Sequence, residues 1–120
     1  MVIGQAIPKC KSMSDTALLV EFDAVISPQV NQQVRKLMTG LARKEMDGLV
    51  EIVPAYRSLL IHYNPCKIST GRLYEQVENV AENLAQIVMP KARKFYLPVC
   101  YDDTMGLDLA HVAKYHKLSA

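Results

Sequence analysis

Apolar residues along this chain recur with two different periods. Residues 16–22 (TALLVEF) form a short run rich in β-formers, bounded by polar residues, and predict a buried strand. Residues 6–11 predict a strand before it, which Pro8 restricts to a sheet edge. After Ser27-Pro28 the period changes. Val30, Val34, Leu37, Met38 and Leu41 return at three- and four-residue spacing and give a helix with one apolar face. Ser27 is placed to cap that helix, Pro28 costs nothing at its first position, and Arg43 and Lys44 suit its negative end. Asp47-Gly48 marks the turn that follows.

Residues 49–53 and 58–63 read as a hairpin around Pro54-Ala55-Tyr56-Arg57, and Asn64-Pro65 stops its second strand. Ser69 opens another helix, with Ile68 packing on Leu73 as a hydrophobic staple. Its buried stripe runs through Leu73, Val77, Val80, Ala81, Leu84 and Val88 until Met89-Pro90. Residues 95–101 (FYLPVCY) predict a last strand, which Pro98 favours at an edge, and residues 107–116 a short helix. The order β-α-β-β-α-β predicts an α+β, ferredoxin-like sandwich: an antiparallel sheet with two helices on one face, an extra N-terminal strand and a short C-terminal helix. Residues 1–104 are assigned to this domain and 105–120 to a helix leading out of it.

Composition narrows the partners. The 120 residues suit one domain, half of them are apolar, 22% are charged and the net charge is +2. That charge is too small and too scattered to point to nucleic acid or an anionic membrane. The first twelve residues lack a signal-peptide core, and no apolar run approaches the ~20 residues of a membrane span. Cys10, Cys66 and Cys100 share no metal-ligand spacing and read as reduced thiols. A cytoplasmic protein is expected.

No phosphate loop, nucleophile elbow or zinc-helix motif appears. Asp102-Asp103 is the one adjacent carboxylate pair and reads as a solvated turn, Cys100 as a packing residue, and His111 and His116 as helix-surface residues. No catalytic, cofactor-binding or metal-binding residue is assigned. The strand faces say more. Leu18, Val20 and Phe22, with Leu59, Ile61 and Tyr63, are wholly apolar and belong under the helices. The opposite sets leave Leu19, Glu21, Ser58, Leu60 and His62 on a face that no helix covers. An apolar centre with a polar rim predicts a docking surface, and a two-fold dimer of the isolated chain through it. Equal spacing from Leu19 and Leu60 suggests that Glu21 and His62 are neighbours there.

Several ordered motifs also carry a family resemblance. Ser14-Asp15-Thr16-Ala17-Leu18-Leu19-Val20-Glu21-Phe22 resembles the "GD-x-ALLVEFG" opening of the allophanate hydrolase subunit 1 family, which includes one of the subunits of bacterial 5-oxoprolinase and the Kip-type inhibitor of a sporulation histidine kinase. Ile26-Ser27-Pro28 through Asn31, the run from Val50 to Pro65, and Leu97-Pro98-Val99-Cys100-Tyr101 with Gly106-Leu107-Asp108-Leu109 and His116-Lys117-Leu118-Ser119 are similar to its later signatures. Ser14, Asp23 and Leu107 depart from the pattern at turn and cap positions where the family has Gly, Gly and Pro. The resemblance implies a non-catalytic assembly domain of a heteromeric, ATP-dependent hydrolase that opens 5-oxoproline to glutamate. ATP would serve the whole complex, with no cofactor in this domain, which is expected to be inactive alone. The implied partners are a companion hydrolase subunit and a C-terminal cyclophilin-like domain into which family members continue. The alternatives are an inhibitor module that binds a sensor histidine kinase, and an unrelated ferredoxin-like protein-binding domain.

Overall fold

Both helix starts form as their capping residues dictate. In the computed structural model, which describes residues 7–119, Ser27 Oγ accepts the N–H of Val30 at 3.1 Å and Pro28 opens helix α1 (Pro28–Ala42). Ser69 Oγ accepts the N–H of Arg72 at 3.3 Å ahead of helix α2 (Thr70–Glu82). The chain divides into two compact units, one up to Pro90 and one from Lys91.

The first unit holds a four-stranded antiparallel sheet of β1 (Lys9–Ser14), β2 (Ala17–Glu21), β3 (Leu49–Pro54) and β4 (Ser58–Tyr63), in the order β1-β2-β4-β3. Alternation along β2 and β4 sends Leu18, Val20, Leu59, Ile61 and Tyr63 to one side. There they join Val30, Val34, Leu37 and Leu41 of α1 and Leu73, Val77 and Val80 of α2 in a single buried cluster. Val20, Leu37 and Ile61 are fully buried. Ile68 and Leu73 both belong to this cluster, as a staple requires. Two helices therefore cover one sheet face, and the α+β, ferredoxin-like reading holds.

Three details differ from the sequence reading. The first strand runs over Lys9–Ser14, later than 6–11, with Pro8 just before it; residue 6 lies outside the described residues. Pro8 has no N–H to give a ladder, so pairing starts after it. Val88 does not extend the α2 stripe. The helix ends at Glu82, a short 3-10 turn follows at Leu84–Gln86, and Val88 is exposed.

The larger correction concerns residues 95–101, which form no strand. The edge position beside β2, which the last strand of a βαββαβ plan would take, is filled by β1. Without a neighbouring ladder, an extended segment has nowhere to place its backbone N–H and C=O groups except water. Phe95, Tyr96, Leu97, Val99 and Tyr101 are all exposed.

The second unit contains helix α3 (Leu109–His116), closed by Lys117 in the left-handed region (φ 54°), with Leu118 N–H returning to Ala113 O at 2.9 Å. No helix of the described residues is long and apolar enough to cross a membrane.

Candidate interaction surface

Antiparallel register arranges the uncovered sheet face in rows. Leu19 pairs with Leu60, Leu60 with Val53, and Lys11 with Leu19, so three apolar side chains and one lysine cross the middle of the face. On one side of this row stand Lys9, Glu21 and Ser58; on the other, Ala17, His62 and Glu51. All five residues assigned from sequence, Leu19, Glu21, Ser58, Leu60 and His62, thus share this face. Leu19 and Leu60 are half-buried by their neighbours instead of standing in water, and Val53 is the most exposed of the three.

Glu21 and His62 are not neighbours. Once Leu19 faces Leu60, antiparallel strands run apart, so two residues onward from Leu19 comes Glu21 opposite Ser58, while two residues onward from Leu60 comes His62 opposite Ala17. The pair is separated by four residues of register, roughly 13 Å along the strands. Each carries other partners. Glu21 binds the Lys11 ammonium and, at 3.4 Å, Arg57 Nη2. These cations, Lys11 first through its hydrogen bond, hold the Glu21 carboxyl below its ordinary value. The strand neighbour of His62 is Glu51. At that end of the face a cavity of about 420 Å³ is lined by Thr16, Val50, Glu51, His62 and Pro65, among others. Val50 is exposed at the β-bulge between Leu49 and Glu51.

Arg57, Lys11 and Val53 are the members of this surface that sequence reasoning missed. Arg57 is anchored by backbone pairing, since its C=O accepts the Phe22 N–H at 2.9 Å, and the guanidinium thereby reaches Glu21. Alternation in residues 49–53 placed Val53 and Glu51 together on one side, but without the register nothing related them to Leu60.

The remaining titratable candidates have structural roles. Asp102 Oδ1 accepts from Thr104 N (3.0 Å), Thr104 Oγ1 (2.5 Å) and Met105 N (3.0 Å), the side-chain-closed turn expected of Asp102-Asp103. The Thr104 hydroxyl leads the contacts, the Cys100 thiol among them, that lower its pKa. Cys10 lies under the helices, opposite Val20, where burial and then the charge of Glu78 push its thiol up to about 11. Cys66 and Cys100 are exposed. His111 and His116 lie on the surface of α3, where the His116 ring meets Tyr115 edge-on with centroids 5.0 Å apart. Among the described residues, no three His, Cys, Asp or Glu side chains stand close enough to hold a metal ion.

Comparison with known families places this geometry. The model of the carboxyltransferase domain, subdomain C and D, matches residues 8–120. The chain belongs to that family. This agrees with the motif resemblance, and this carboxyltransferase-type chain is similar to a 5-oxoprolinase subunit from Bacillus subtilis (strain 168), with 29% identity over 119 residues covering 91% of the chain and 50% of the relative. It therefore spans about half the length of the curated relative it matches. Among solved structures, the conserved uncharacterized protein PH0987 from Pyrococcus horikoshii matches with a TM-score of 0.61 and 32% identity, over 92% of this chain and 50% of that one. TTHA0988 matches with a TM-score of 0.63 and 32% identity, over 86% of this chain and 19% of that one. The K. lactis urea amidolyase shares the fold, with a TM-score of 0.61 at 20% identity over 69% of this chain and 5% of the enzyme.

Proposed function

We propose that this chain is the N-terminal assembly domain of a subunit of a cytoplasmic, ATP-dependent hydrolase that opens 5-oxoproline to glutamate. The similarity to the Bacillus subtilis 5-oxoprolinase subunit, running through 91% of the chain, carries this reading. The carboxyltransferase-family match over nearly all residues supports it. In this reading ATP and the reacting groups belong to other parts of the assembly, and the domain supplies a contact surface.

The open sheet face is suited to that task. Leu19, Leu60 and Val53 form an apolar centre, and Lys9, Lys11, Glu21, Arg57, Glu51 and His62 surround it. Protein contacts have this anatomy, with desolvation at the centre and charge at the rim. A companion subunit or a further domain of the same subunit would cover the face. In their absence, two copies of the chain would pair through it.

The test is to co-express the chain's full-length protein with companion hydrolase subunits from the same genome and to measure ATP-dependent release of glutamate from 5-oxoproline. Activity is expected to require the protein, and the Leu19→Asp, Leu60→Asp double variant is expected to stay folded yet lose co-purification and activity. Undiminished glutamate release without the protein would overturn the enzymatic reading. A double variant that assembles like the wild type would move the contact to another surface.

A further inference from the structure

Away from the open face, three cationic side chains from separate pieces of chain surround one concavity. Lys44 follows the last turn of α1, Lys67 lies in the connection from β4 to α2, and Arg72 belongs to the first turn of α2. With Met46, Asp47, Ile68 and Gln76 they line a cavity of about 550 Å³. Three cations face one carboxylate, and this excess of two charges is as large as the net charge of the entire chain, +2. A concavity lined by one sign of charge over apolar walls concentrates counter-ions.

The frame of the concavity is fixed by a close approach of two loops. Gly48 has φ 97°, and a Cβ there would lie 2.8 Å from Ile68 Cγ2 and 2.9 Å from Lys67 Cβ. The Asn64 N–H donates to Gly48 O at 2.7 Å, tying the α1–β3 turn to the segment that carries Lys67. Ile68 beneath is buried in the core. The lysine heads are lightly engaged: Lys67 Nζ meets Asp47 Oδ1 at 2.9 Å and Lys44 Nζ donates to Gln76 Oε1 at 2.7 Å. Both members of the Lys67–Asp47 pair are well exposed, so an incoming anion can displace Asp47 at small cost. Arg72 gives its backbone N–H to Ser69, and no carboxylate among the described residues pairs with its guanidinium.

We propose that this concavity binds a small, doubly charged oxyanion of the phosphate type. Two mobile ammonium groups and one planar guanidinium, approaching from different elements, match the several acceptor oxygens and the double charge of a tetrahedral oxyanion. A lone carboxylate would leave half of the excess charge uncompensated. The site lies outside the open sheet face and is independent of the hydrolase reading.

The test follows backbone amide resonances of the 120-residue chain during titration with inorganic phosphate, against sodium chloride at equal ionic strength. Saturable shifts are expected at Asp47, Lys67, Ile68 and Arg72, with a midpoint in the millimolar range, roughly 4 kcal/mol of binding. Arg72→Gln and Lys44→Gln should each raise that midpoint by about threefold, the size of one exposed charge contact, and leave distant resonances in place. A parallel titration with glycerol phosphate separates the two sources of such an anion. Tighter binding than inorganic phosphate assigns the site to the phosphoryl end of a larger molecule, and weaker binding to the free ion. Shifts that grow linearly, that chloride reproduces, or whose midpoint neither variant alters would overturn the proposal.

Discussion

The stretch up to Pro90 and the stretch from Lys91 are both rich in apolar residues, yet they use them in opposite ways. Every buried apolar residue among the described ones lies in the first stretch, on sheet and helix faces that close on each other. In the second stretch Tyr96, Leu97 and Leu107 are each more than four-fifths exposed, and α3 buries no residue. Apolar composition is thus not sufficient for a core. Leu18 and Ile61 are buried because two helices with matching stripes lie over one pleated face, and residues 95–101 have no such second layer.

The strongest way to break this contrast is to truncate side chains in both stretches. Leu37→Ala or Ile61→Ala should cost about 2–5 kcal/mol through lost transfer energy and a residual cavity. Leu97→Ala should stay within about 0.5 kcal/mol of the parent, as exposed substitutions do. Urea unfolding midpoints decide it. Equal costs at Leu37 and Leu97 would mean that the second stretch has a covering layer of its own.

A smaller effect is expected where the two loops of the first stretch are pressed together. Gly48→Ala must hold a positive φ and accommodate a Cβ within 3 Å of Ile68 and Lys67, and should destabilise by about 1–3 kcal/mol. Ser27→Ala removes the hydrogen bond to Val30 N–H and should cost about 1 kcal/mol. Asp108, at the corresponding position of α3, makes no side-chain cap, so Asp108→Ala should change the helicity of the chain less than Ser27→Ala does. Circular dichroism during thermal unfolding compares the two.

The smallest effect is electrostatic. Folding lowers the Glu21 pKa, so its ion pairs contribute stability that is complete above the ordinary carboxylate value of 4.5 and is lost as pH falls through the lower folded value. Lys11→Gln should shrink the loss of stability on acidification below pH 4.5 while leaving the shape of the curve above it unchanged. Urea midpoints of the two proteins across that range measure the difference. Identical acid limbs would show that Arg57 alone holds the carboxylate. Thiol labelling offers a kinetic companion: at mildly alkaline pH, Cys66 and Cys100 should react with an alkylating reagent well before Cys10, whose thiol is pushed up to about 11.

Local chemistry in the sequence determined much of the fold. Ser27-Pro28 and Ser69 supply a cap before an apolar stripe of helical period, and alternation in β2 and β4 separates buried from uncovered side chains; such signals act within a few residues and need no distant partner. The five surface residues were legible as one face for the same reason. Tertiary structure alone decided everything that depends on who pairs with whom. Strand register set Glu21 opposite Ser58 and brought Val53 and Lys11 alongside the two leucines. The choice of β1 for the sheet edge left residues 95–101 without a ladder, although their composition is that of a strand. Lys44, Lys67 and Arg72 carry no mutual signal in sequence, because the close packing of Gly48 on Ile68 and Lys67 is what draws their separate segments together. Hydrogen bonds and side-chain periods are written locally, whereas a ladder partner or a shared cavity exists only after the chain has closed on itself.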